Sequence, residues 1–124
     1  MGIDVYLKWK NMFKADKEAQ ITSFDVFSGH VGYLREAYHG NPYATKYMFS
    51  ECFENKSAEF SYPASLLEER LEETLRLVVE RASNLYDSTP EEIEKAKKSF
   101  VDFVALAKTI EEIQKEPCVV AVSY

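Results

Sequence analysis

Cysteine, histidine, glycine and proline are all scarce in this chain of 124 residues: two Cys, two His, four Gly and four Pro. With only Cys52 and Cys118 there is no disulfide framework. In a reducing compartment so widely spaced a pair reads as two small, buried, free thiols. Zinc takes three or four ligands, and only an unsupported guess at the fold brings His30, His39 and Cys52 together, so no metal is expected. The low glycine and proline content excludes fibrous and low-complexity architectures. Long apolar runs are missing too. No stretch approaches the roughly 18 to 20 apolar residues of a spanning helix, and Asp4 and Lys8 break the N-terminal segment before it reaches signal-peptide length. Tyr6 stands where a myristoylation signal wants Ser or Thr. The expected location is the cytoplasm. Phosphate loops, dinucleotide fingerprints and nucleophile elbows are also absent, so no cofactor is expected and no reaction is named.

What is present suits an ordinary globular domain: 46% hydrophobic and 29% charged residues, with eight Phe and eight Tyr. The length fits a single domain over residues 1–124 that folds without metal or disulfide support. Net charge is −6, and residues 65–94 hold the whole imbalance, nine acids against three bases. Such a surface repels phosphate backbones and anionic lipid, which argues against nucleic-acid and membrane partners. Lys8, Lys10, Lys14 and Lys17 are too few to reverse that.

Ile3, Val5, Leu7 and Trp9 alternate with polar residues, the period of a strand with one buried face. Residues 118–124 are β-branched and apolar, and Pro117 precedes them. Neither strand satisfies its backbone alone, so the two termini are expected side by side in one sheet. Residues 23–27 suggest a third strand. Leu67, Leu71, Leu75, Val78, Ala82 and Leu85 recur at spacings of four and three, the stripe of an amphipathic helix. Its start is either a Ser65/Glu68 capping box or Pro63. A second helix opens on Thr89, Pro90 and Glu92, with a stripe from Ile93 to Ile110. So short a connection makes the pair an antiparallel αα-hairpin. Shorter helices are predicted at 16–21, at 33–39 and from Asn41-Pro42 to about Phe53. The fold class is α+β, mainly helical, with the hairpin and shorter helices on a small sheet.

Both histidines and three of the four glycines fall within residues 29–43. A helix over 33–39 turns Leu34, Ala37 and Tyr38 to the core and gathers Arg35, Glu36 and His39 on the open side. With His30, Tyr33 and Tyr43 these make a candidate ligand-binding surface, rich in the side chains that binding sites favour. The plainer alternative is that the glycines end turns and the polar residues are a solvated face. Glu36-x-x-His39 has the spacing of one half of a carboxylate-bridged metal site, but the second half is missing. The preferred reading is therefore a non-catalytic binding or regulatory domain with an unknown ligand or protein partner, using residues 29–43. One rival is a small enzyme with an acid/base site at His39, Glu36 and Arg35. Another is an acidic, inhibitor-like protein whose Glu68, Glu69, Glu72 and Glu73 meet a basic partner.

The segments Gly-Ile-Asp-Val-Tyr-Leu-Lys-Trp (2–9) and Gly-His-Val-Gly-Tyr-Leu-Arg-Glu-Ala-Tyr-His-Gly (29–40), with Ser-Phe-Val-Asp-Phe-Val (99–104), resemble a family of small bacterial proteins of unknown function. The resemblance implies a bacterial cytoplasmic origin and no particular chemistry.

Overall fold

The structure is a computed structural model that describes residues 2–22, 27–54, 58–85 and 88–124. Four strands form one antiparallel sheet: β1 (Gly2–Lys8), β2 (Tyr33–Ala37), β3 (Glu59–Tyr62) and β4 (Cys118–Ser123), in the order β2-β1-β4-β3. The expected pairing of the termini is present, with Val5 opposite Val122 and Leu7 opposite Val120. The alternation in β1 sends Ile3, Val5 and Leu7 to a buried face that also carries Leu34, Val120 and Val122. Burying each such side chain contributes about 1.5–3 kcal/mol, so this face anchors the fold. Asp4, Tyr6, Val119 and Ala121 lie half-buried on the opposite face.

The helices are α1 (Lys14–Thr22), α2 (Ala44–Met48), α3 (Ser50–Glu54), α4 (Ala64–Leu85) and α5 (Pro90–Gln114). Helix α5 starts as its sequence dictates. Thr89 accepts from the Glu92 amide, Glu92 closes the capping box, and Pro90 begins the first turn. Helix α4 starts directly after Pro63 rather than on Ser65, and its first amide, at Ala64, donates to Glu111 near the end of α5 (3.1 Å). That contact and the Lys108–Glu68 ion pair fix the antiparallel hairpin. Phe103, Val104 and Ala107 of α5 join Phe49, Met48 and the sheet in one core.

Three expectations change. Residues 33–37 form a strand, not a helix, because alternate residues find partners in β1, from Tyr33 opposite Tyr6 to Ala37 opposite Gly2. The helix expected from Asn41-Pro42 starts at Ala44 and breaks at Phe49. Its first amides are capped by Glu36 from the sheet, not by Asn41. Strand β3 has no counterpart in the sequence reading. Of the strand expected at 23–27, residues 23–26 lie outside the described residues, and Phe27 is in a turn.

Gly29 and Gly32 bound the 3-10 turn Gly29–Val31 that leads into β2. A Cβ on Gly29 would sit 1.7 Å from the Ser99 carbonyl oxygen, and Gly32 has φ +83°. The turn is pinned by the Gly29 amide donating to Ser99 Oγ (2.7 Å) and by the Gln20 side-chain amide, which donates to the Val31 carbonyl (3.0 Å) and to the Leu7 carbonyl of β1 (2.8 Å).

Candidate functional site

Because β2 is a strand, its neighbouring side chains point to opposite faces, and the six candidate residues separate into several environments. Tyr33 and Arg35 share the face of Asp4 and Tyr6. The Tyr33 hydroxyl donates to Asp4 Oδ1 at 2.5 Å and Arg35 donates to the same oxygen at 2.8 Å. Burial, reinforced by the Asp4 carboxylate, pushes the Tyr33 phenol up to about 12. Burial likewise raises Tyr6, whose ring centroid is 5.2 Å from that of Tyr33. A phenol held this high stays protonated near neutrality, and its bond to Asp4 ties β2 to β1.

Glu36 is on the other face and 7% exposed, which corrects its assignment to an open surface. Its carboxylate accepts from the Ala44 amide (2.9 Å), the Thr45 amide (3.2 Å) and the Thr45 hydroxyl (2.6 Å). Arg81 of α4, 5% exposed, approaches to 3.7 Å. Arg81 also donates to the carbonyls of Ala37, Gly40 and Pro42, so one guanidinium holds the chain between β2 and α2. With its oxygens committed in this way, Glu36 is a structural acceptor.

Tyr43 is half-buried, its ring 4.8 Å from the Arg81 guanidinium and 4.7 Å from the Lys46 ammonium. Tyr38, assigned to the core by the helical reading, is 43% exposed. His30 lies exposed in the 3-10 turn and His39 exposed beyond β2. Arg35, Glu36 and His39 therefore do not gather on one face.

A cavity of about 290 Å³ lies between β2 and the connected ends of α4 and α5. Its walls are Phe27, Val78, Ala82, Ile93, Ala96 and Phe100, with Arg35, Glu36 and Ala37 along one side. Arg81, Ser88 and Glu92 supply the polar groups, and neither histidine lines it. Arg81 had a signal in the sequence: it follows Val78 by three positions and so occupies a core position of α4. The cavity had none, since it arises where β2 and the hairpin meet.

A second polar cluster joins α3 to α4. Arg70 donates to both carboxylate oxygens of Glu51 (2.8 and 2.6 Å), and the Tyr62 hydroxyl adds a bond of 2.8 Å. Arg70 is the main cause holding Glu51 at about 2. Cys52 and Cys118 are free and buried, and burial raises both thiols, Cys118 to about 11. Among the described residues no group of three or more His, Cys, Asp or Glu is arranged to hold a metal. No described helix is long and apolar enough to cross a membrane.

Comparison with protein families, curated proteins and solved structures finds no match for this chain. The resemblance drawn from residues 2–9, 29–40 and 99–104 gains no support from it.

Proposed function

We propose that the chain is a non-catalytic, cytoplasmic binding domain whose site is the cavity beside β2. The observation that carries this reading is one apolar concavity bounded by Arg35, Glu36 and Ala37, with a few polar groups at its margin, the usual composition of a ligand site. Its size selects the occupant. Small-molecule pockets span roughly 300–1,000 Å³, so about 290 Å³ lies at the lower end of that range and suits a small, mainly apolar group. The acid/base alternative is weaker, because Glu36 is committed to Ala44 and Thr45 and the cavity walls include no histidine. The acidic-partner alternative is weaker too: Glu73 pairs with Arg76 and Glu68 with Lys108, which neutralises part of the ridge. The buried free thiols support a reducing location.

The test is a titration with p-cresol, the tyrosine side chain in isolation, followed by backbone amide shifts. Shifts should centre on Arg35, Ile93, Ala96 and Phe100, and Ala96→Trp, which fills the cavity, should remove them while the protein still melts cooperatively. Shifts centred on Tyr6 and Val119 would place the site on the opposite face of the sheet and refute the reading.

A further inference from the structure

We infer that the ligand of the cavity is an uncharged small molecule, apolar over most of its surface, with one hydroxyl or carbonyl group that bonds to Ser88. This rests on the reading of the cavity as a binding site and names the chemical class it takes. Among the described residues four charged side chains border the cavity, those of Arg35, Glu36, Arg81 and Glu92. Each already has its partner. Glu36 accepts from the Ala44 and Thr45 amides and from the Thr45 hydroxyl. Arg81 donates to the carbonyls of Ala37, Gly40 and Pro42 and stands 3.7 Å from Glu36. The Arg35 guanidinium is paired with Asp4, on the face of the sheet away from the helices, so its charge is compensated there. Glu92 is exposed at the margin and accepts from Thr89 in the capping box.

A charged group entering such a space gives up its water and finds no uncompensated counter-charge in return. The buried pair works against either sign. A carboxylate drawn to Arg81 also meets the Glu36 carboxylate, and an ammonium drawn to Glu36 also meets the Arg81 guanidinium, because the two side chains lie together. An uncharged ring against Val78, Ile93, Ala96 and Phe100 meets neither penalty. Ser88 is the exception in the lining. It carries the one hydroxyl among the described residues that border the cavity, and that hydroxyl makes no hydrogen bond within the protein. A hydroxyl can donate or accept, so Ser88 matches a single neutral polar group on the ligand, whether alcohol or carbonyl.

The test is an amide-shift titration at neutral pH with pairs of nearly equal size, benzyl alcohol against benzylamine and benzamide against benzoate. In each pair the neutral compound should bind at least about tenfold more tightly than the charged one. Ser88→Ala should weaken benzyl alcohol about threefold or more and leave toluene, which has no polar group, within about twofold. Benzylamine or benzoate binding as tightly as its neutral counterpart would overturn the inference while leaving the cavity reading intact. An unchanged affinity of Ser88→Ala for benzyl alcohol would overturn it as well. If p-cresol fails to bind along with all four compounds, the cavity reading falls and takes the inference with it.

Discussion

Glu36 is the residue on which the region around the cavity depends. It caps the first amides of α2 from a neighbouring strand and lies beside a buried arginine that holds three carbonyls of the same turn. Removing one partner of a buried pair leaves the other uncompensated, which typically costs about 3–5 kcal/mol. Glu36→Ala should lose that much in urea denaturation, and a loss under about 1 kcal/mol would contradict the burial. The sequence concealed this role because a glutamate between helix formers carries no mark of depth. Asp4 was hidden for the same reason: its bonds to Tyr33 and Arg35 come from a strand remote in sequence. Glu51 gives a pH signature. Arg70 lowers its carboxyl from an ordinary 4.5 to about 2. A depressed acid adds stability that is complete above its unfolded value and is lost as pH falls through the folded one. That contribution is on the order of 3 kcal/mol. The stability difference between wild type and Glu51→Gln should therefore shrink between pH 5 and pH 2, whereas parallel profiles would show that the Arg70 pair contributes nothing.

At the scale of elements, what was legible was what local chemistry decides. The capping box at Thr89 and the apolar stripes of α4 and α5 act within a few residues, and the period of two in β1 marks a half-buried strand whatever it pairs with. Residues 33–37 depart from the helix expected over 33–39 because their composition suits a helix and only pairing with β1 makes them extended. Strand β3, four residues long and mostly exposed, shows no alternation strong enough to announce it. The strand assignment of β2 has its own test. In a helix every interior amide is protected, but on an edge strand protection alternates. The Arg35 amide should exchange with solvent on the order of a hundredfold faster than those of Leu34 and Glu36. Uniform protection across the three would restore the helix and displace the cavity with it.

For the whole molecule, the expectation of a mainly helical α+β fold with paired terminal strands holds. The site proposed within residues 29–43 is narrowed to the hole beside β2. That hole depends on how β2 meets the hairpin, a relation between segments more than forty residues apart that no local pattern encodes. The central claim is that this cavity receives an apolar group, and a crystal structure of the protein grown with p-cresol addresses it directly. The account predicts electron density for the ring between Ile93, Ala96 and Phe100, in contact with β2 at Arg35 to Ala37. A cavity closed by those side chains, with the ring bound instead against Tyr6 or Trp9, would contradict it.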